Sequence, residues 1–401
     1  MVIHSEFLDS LTPSAIRSIT AKIRDKAKQG EKVVSFAGGL PSAEFFPIED
    51  LKKIDEQIFE EEAGEAIQYA ASDGYDPLRE YLVTFMERFQ VTGLSYKNFL
   101  ITSGAQQGLA YLSKGLITPG SVVITENPSY PGALETFRSY GAKVVGIKMD
   151  DEGMSMDELE QALKANGHVA FIYTIADFQN PMGASMSIPR RKQLVELAER
   201  YDTFVVEDAP YSLISFDGTV MPAIKRFDKY GRVIYSGSTS KTIAPGLRIG
   251  WLIADEESIQ KLVYLKMRDD LQVNNLAQRQ VLHYLRDHDF DGHLRQVVEV
   301  YKKRKETMIE QVMASFPEGT RIVPSGGGLF LWVELPEGND TLEMFDYVFQ
   351  KNIAYVPGVF FCPDGSGKNA MRLNFSTTGE DKIREYIPIL GQMIKEYIQH
   401  K

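Results

Sequence analysis

The chain has 401 residues, 43% hydrophobic and 25% charged, values ordinary for a soluble globular enzyme. Its net charge of −11 argues against nucleic acid as a main partner, because phosphate binding needs a basic face. A single cysteine, Cys362, excludes an internal disulfide framework and fits a reducing compartment as a packed, inert thiol. The start, MVIHSEFLDSLTPSAIRSIT, lacks the basic-then-apolar order of a secretory signal, and no apolar window is long enough to span a bilayer. A cytoplasmic protein is expected, with no membrane partner and no metal.

Ala15 to Gln29 alternates apolar and basic residues at roughly helical spacing, and Val33, Val34 and Phe36 form a short extended run ending at Gly38-Gly39. From Pro77 the pattern becomes regular. PLREYLVTFMERFQ reads as a helix, FLITSG as a strand, AQQGLAYLSKGLI as a helix, SVVIT as a strand and SYPGALETFRSYG as a helix. AKVVGIKM, HVAFIYT, TFVVED, RVIYSGS and IGWLIA are further strands, with helices predicted for MSMDELEQALKANG and SIPRRKQLVELAERY. Beyond Glu257 come long helical stretches, then GLFLWVEL, IAYVPG and MRLNFS as strands, TLEMFDYVFQKN as a helix and a terminal helix in DKIREYIPILGQMIKEYIQ. CPDGSGK, between Phe361 and Asn369, reads as a mobile solvated loop.

Short Val/Ile-rich runs alternating with amphipathic helices indicate an α/β protein with a mostly parallel central sheet flanked by helices. A smaller α+β domain is expected from both chain ends. The expected division is an N-terminal small-domain segment at 1–45, a large domain at 46–285 and the rest of the small domain at 286–401. Chemistry in such sheets gathers at the carboxyl ends of the strands.

Three stretches lie at such ends. In SGSTSKTIAPGLRIGW, Lys241 sits in a small-residue turn after a strand, with Ser238 and Ser240 before it and Arg248 seven positions on. A lysine so placed can form a Schiff base, the hydroxyls can donate to a phosphate and the guanidinium can clamp one. In VVEDAPYSLISF, Asp208 ends a strand and Tyr211 follows; a carboxylate there can keep a pyridine nitrogen protonated, and a phenol can reach a ring hydroxyl. In DFQNPMG, Asn180 is extended by Pro181 and places an amide near the same ring oxygen. Read singly, these are a solvated lysine, a capping aspartate with a packing tyrosine, and an ordinary turn.

Read in order, Asn-Pro-X-Gly, Asp-X-X-Tyr, Ser-X-Ser-Lys and Arg resemble the fold-type I, class I/II aminotransferases, and more narrowly the branch with 2-aminoadipate and kynurenine aminotransferases. The resemblance runs from about Ser14 to the carboxyl terminus. It implies pyridoxal 5′-phosphate as cofactor, with Lys241 as the Schiff-base lysine and proton carrier and Asp208 as the partner of the ring nitrogen. Asn180 and Tyr211 would meet the ring oxygen, and Ser238 and Arg248 the phosphate. The amides of Ala105 and Gln106, in TSGAQQGL, would bind the same phosphate at a helix start. Many relatives carry a hydroxyl where this chain has Ala105, a loss that Gln106 would offset in part.

The resemblance also implies that Tyr130 stacks on the ring, and that Tyr69 reaches the phosphate of a neighbouring subunit, so the active site would need a homodimer. Arg372 would grip the substrate α-carboxylate, and Gly39 would line the substrate pocket. Arg17 would turn toward a distal carboxylate; the other reading is an exposed ion pair. The expected reaction moves an amino group from an L-amino acid (aromatic, branched-chain, methionine or 2-aminoadipate) to a 2-oxo acid such as 2-oxoglutarate. Two alternatives stand beside it. One is a lyase or decarboxylase with the same cofactor. The other is a non-enzymatic regulator with an aminotransferase-like domain, opposed by the chain's acidity and by its beginning almost directly with the aminotransferase-like part.

Overall fold

A computed structural model describes Leu8, Leu11 and residues 15–400. Residues 1–7, 9–10, 12–14 and 401, with the start of the expected 1–45 segment, lie outside the described residues. The helix Ala15–Lys28 leads into β1 (Val34–Ser35). Eight further strands build the large sheet: β2 (Phe99–Thr102), β3 (Val122–Asn127), β4 (Lys143–Asp150), β5 (Gly153–Met154), β6 (Val169–Thr174), β7 (Phe204–Asp208), β8 (Val233–Ser238) and β9 (Gly250–Ile253).

Their order is β2-β9-β8-β7-β6-β3-β4-β5. β9 runs antiparallel to both neighbours and β5 closes an antiparallel hairpin with β4, while the remaining pairs are parallel. The expected mostly parallel sheet is therefore present. Strands β6, β8 and β9, and even the edge strand β2, are buried along nearly their whole length, which is why they read as unbroken apolar runs. Near the sheet edge, β4 is partly exposed and keeps Lys143 and Lys148 at the surface.

β10 (Arg321–Ile322), β11 (Phe330–Glu334), β13 (Val356–Pro357) and β14 (Ala370–Asn374) form a smaller antiparallel sheet, and β12 (Ile353–Ala354) pairs with β1 in parallel. That pairing binds the chain's beginning to its last quarter. Lys22 Nζ adds a bond to Asp346 at 2.7 Å and Lys26 Nζ one to the Asn352 side chain at 2.5 Å.

Two local expectations change. The helix predicted over TLEMFDYVFQKN is confined to Phe345–Phe349. Asp340 Oδ1 accepts from the amides of Leu342 and Glu343 as an N-cap does, but the first turn mixes a Met344-to-Asp340 bond with a shorter-reach Phe345-to-Leu342 bond. Regular helix therefore begins only at Phe345, and Asn352 at φ 59° ends the segment. The loop CPDGSGK is tied down rather than free. Asn127 Nδ2 donates to Asp364 at 2.9 Å, and Arg138 Nη2 to the Pro363 carbonyl at 3.1 Å. Cys362 is buried, and burial pushes its thiol up to about 11, as suits a packed residue. Among the described residues no helix is long and apolar enough to cross a membrane.

Candidate active site

The carboxyl ends of β2, β3, β6, β7 and β8 open on one edge of the sheet. In register, Asp208 lies beside Ser236, and both Ser238 and Thr102 lie opposite Gly250. The turns leaving these strands carry most of the expected residues. Sheet topology thus collects side chains as far apart in sequence as Thr102 and Lys241, a separation of roughly 140 positions.

Lys241 follows β8 by three residues, and its Nζ donates to the Gly39 carbonyl at 2.7 Å. Part of the side chain remains open, yet desolvation of the ammonium lowers its pKa to about 8, with Arg372 and Arg248 pulling the same way and Asp208 opposing. An amine with that pKa is neutral often enough near physiological pH to act as nucleophile or base.

Asp208 is 3% exposed. Its Oδ2 accepts from the Tyr173 hydroxyl at 2.9 Å, while Oδ1 is buried with no partner. Burial raises its pKa to about 6, against the Tyr173 hydroxyl, the neighbouring Ser236 and the charge of Lys241. A buried carboxylate oxygen left unpaired costs about 1–3 kcal/mol, so this atom is suited to a partner bearing an N–H.

Asn180 and Tyr211 lie together, with Asn180 Nδ2 3.5 Å from the phenol oxygen. Asn180 Oδ1 also accepts from Arg372 Nη1 at 2.9 Å, and Arg372 Nη2 donates to the Ala37 carbonyl at 2.8 Å. The guanidinium is 4.1 Å from the ring centre of Phe330 and 5.0 Å from that of Phe361, buried, with Nε unpaired. Burial draws its pKa down to about 10, opposed by Tyr211 and Tyr130. A caged, fully buried cation of this kind favours a carboxylate ligand.

Beyond β2, Gly104 adopts φ 73° and starts the helix Ala105–Leu116 without a side-chain cap. A Cβ at Gly104 would stand 2.4 Å from Arg248 Nη2, so glycine is required for the arginine to lie against the loop. Arg248, at φ 54°, donates to the carbonyls of Ser103 (3.0 Å) and Pro245 (3.3 Å) and remains exposed. Ser238 Oγ bonds Ser240 Oγ at 2.9 Å. The first-turn amides of Ala105 and Gln106 have no helical acceptor, so with Arg248 beside them they could hold an anion.

Gln106 does not offer its side chain to such an anion. Its Nε2 donates to Thr136 Oγ1 at 2.8 Å, and its Oε1 accepts from the Tyr130 hydroxyl at 3.3 Å. Tyr130 caps the helix Pro131–Ser139, and Gly132 leaves room for its ring. Its phenol is raised by burial and by the charge of Asp208, with Arg372 and Arg17 opposing. Arg17 is exposed on the helix Ala15–Lys28, near enough to act on Tyr130 electrostatically. Tyr69 is 80% exposed, and its amide donates to the neighbouring Gln68 side chain at 2.9 Å rather than to the residues gathered around Lys241.

Several contributors were not singled out from the sequence: Tyr173, Glu126, Gln179, Phe330 and the Ala37 carbonyl. Gln107 is another, since its Oε1 accepts from the Ser103 amide at 2.8 Å and its Nε2 donates to Asp270 at 2.7 Å. Some signal was available. Gln179 directly precedes Asn180, Glu126 begins ENPSYPG, and Gln107 is the third residue of its helix, where a glutamine reaches back to cap.

Residues 32–388 match the family described as aminotransferase class I and II. The aromatic-amino-acid aminotransferase 1 of Thermococcus litoralis is 40% identical over 94% of this chain and 92% of its own. Among solved structures, a Pyrococcus horikoshii kynurenine aminotransferase in complex with PMP superposes with TM-score 0.93 at 37% identity, covering 98% of this chain and 97% of that one. The alpha-aminoadipate aminotransferase of Thermus thermophilus, complexed with N-(5′-phosphopyridoxyl)-L-leucine, gives TM-score 0.91 at 32% identity, covering 99% and 98%. This chain belongs to the class I and II aminotransferases.

Proposed function

We propose that the protein moves the amino group of an L-amino acid with a large side chain to a 2-oxo acid such as 2-oxoglutarate, using Lys241 to carry the proton. Aromatic, branched-chain, methionine and 2-aminoadipate donors are the class considered, and the names of the relatives support its aromatic and aminoadipate members. The observation that carries the reading is the convergence of Lys241, Asp208 and Arg372. It puts a low-pKa amine, an orphaned carboxylate oxygen and a buried guanidinium around one space.

Pyridoxal 5′-phosphate is the family's cofactor, and the orphaned Asp208 Oδ1 and the cradle at Gly104 fit its ring nitrogen and phosphate. When bound, it supplies an aldehyde for the lysine and a ring that accepts electrons. The protein's own groups do the rest. Asp208 would hold a proton on the ring nitrogen, and Asn180 and Tyr211 would hold the ring oxygen. Ser238, Arg248 and the amides of Ala105 and Gln106 would bind the phosphate, and Tyr130 would cover the ring face. Arg372 would fix the substrate α-carboxylate and Gly39 line its pocket, leaving the Cα proton within reach of Lys241.

A homodimer and a cytoplasmic location belong to the same reading. Exposure of Tyr69 supports a role in the partner's phosphate site, and proximity of Arg17 to Tyr130 supports one toward a distal substrate group. The division at 1–45, 46–285 and 286–401 is supported by the pairing of β1 with β12. The test is to profile amino donors with and without 2-oxoglutarate. Turnover that needs the acceptor supports transamination; 2-oxo acid released without any acceptor points to a lyase.

A further inference from the structure

Glu126, the fifth residue of β3, is 1% exposed and takes no part in the scheme above, yet its carboxylate gathers three donors. Thr174 Oγ1 donates to Oε1 at 2.5 Å, while the Ile175 amide (3.3 Å) and Gln179 Nε2 (2.9 Å) donate to Oε2. The same Gln179 nitrogen donates to the Pro128 carbonyl at 2.9 Å, and Gln179 Oε1 accepts from the Met182 amide at 2.9 Å. Gln179 is fully buried.

These bonds lie between two strand ends. One, leaving β3, delivers Tyr130; the other, leaving β6, delivers Asn180, the neighbour of Gln179. Asn180 in turn bonds both Tyr211 and Arg372. We infer that Glu126 and Gln179 are a positioning pair that sets Asn180 against Tyr130, and through Asn180 orients Arg372 toward the substrate carboxylate. The inference rests on the reading of Asn180 and Arg372 given above. A structural staple elsewhere in the sheet would leave substrate binding untouched. This one is a single residue from an amide that touches the carboxylate-binding arginine.

The first variant is Gln179→Met, which keeps volume and charge while removing the amide. In the holoenzyme it is expected to raise KM for the amino donor roughly 5-fold or more, the scale of one lost hydrogen bond, with a smaller change in kcat. The pH titration of the lysine–cofactor absorbance band should move upward, because Asn180 would hold the ring oxygen less well. Glu126→Gln, which turns the acceptor toward a second donor, should give the same split between KM and kcat. Bound cofactor and the absorbance band are retained in both, which separates failure here from failure of the Lys241 assignment. A Gln179→Met enzyme with the parent's KM and band pKa overturns the pair's role. So does an equal fall in kcat and thermal stability with KM unchanged in Glu126→Gln, since that is the pattern of a purely structural bond.

Discussion

Lys241 and Arg372 are held by the same short segment. The Gly39 carbonyl accepts from Lys241 Nζ at 2.7 Å, and two residues earlier the Ala37 carbonyl accepts from Arg372 Nη2 at 2.8 Å. One backbone segment thus anchors both side chains and fixes the arginine's place relative to the lysine's. Phe36, just before, is joined to Ala354 and Asn374 by backbone bonds of 2.8 Å. The sequence FAGGLP therefore connects Lys241 and Arg372 to the point where the chain's two ends pack.

Arg372→Lys keeps the charge and loses the fork. Lysine cannot donate to both the Asn180 side chain and the Ala37 carbonyl while engaging a carboxylate in two parallel bonds. We expect KM for the amino donor to rise by about 30-fold or more, equivalent to ~2 kcal/mol, with cofactor binding unchanged. Steady-state kinetics with the amino donor varied at a fixed, saturating acceptor would measure it.

Gly104→Ala acts on the cofactor rather than the substrate. The added Cβ would meet the Arg248 guanidinium at 2.4 Å in a backbone conformation that disfavours alanine, so the arginine must leave the loop. Affinity for pyridoxal 5′-phosphate should fall by roughly 10-fold or more, the scale of a lost charge-assisted bond. Reconstitution of apoenzyme, followed by absorbance or fluorescence, is the check.

Legibility in the sequence varied from residue to residue. The Asp208, Asn180, Tyr211 and Lys241 segments could be read because each sits in a short motif at or after the end of a strand, and Arg248 because it follows Lys241 in the same run just before β9. Tyr173 could not. It lies inside HVAFIYT, where a buried aromatic looks like core packing, and only the pairing of β6 with β7 places its hydroxyl on Asp208. Gln106 keeps its backbone amide at the helix start, while its side chain bonds Thr136 and Tyr130, a contact with the helix that follows Tyr130 that spacing cannot reveal. The strands were legible for a related reason: burial on both faces leaves their apolar runs unbroken. The segment expected as a helix over Thr341–Asn352 opens on an irregular turn of mixed i−3 and i−4 bonds, which residue spacing does not reveal.

Tyr173→Phe removes one oxygen and keeps the ring. The hydroxyl lowers the Asp208 pKa, so its loss should raise it and weaken the hold on a protonated ring nitrogen. We expect kcat to fall by roughly 10-fold and the acid limb of the pH–rate profile to move to higher pH, with little change in KM. An unchanged profile would mean that Tyr173 only packs.

Glu207 gives a pH effect away from the reacting groups. Burial raises it to about 7 from an ordinary 4.5, against the nearby charge of Arg191 and the Ile224 and Lys225 amides. Between those values the folded state binds the proton and the unfolded state does not, so folding is less favourable as pH rises through that window. Relative to Glu207→Gln, the parent should therefore be most stable below about pH 4.5 and lose that advantage by pH 7 and above. Thermal melts of both proteins across this range would test the sign.

The central claim is that Lys241 binds the cofactor and carries the proton, and replacing it by alanine tests this most directly. Lys241→Ala should lose the lysine–cofactor absorbance band, and turnover should fall by about 10²–10⁴-fold, the usual contribution of a positioned acid–base group, or by more where the lysine also anchors the cofactor. A folded Lys241→Ala protein that keeps the band or the parent's turnover would contradict the account.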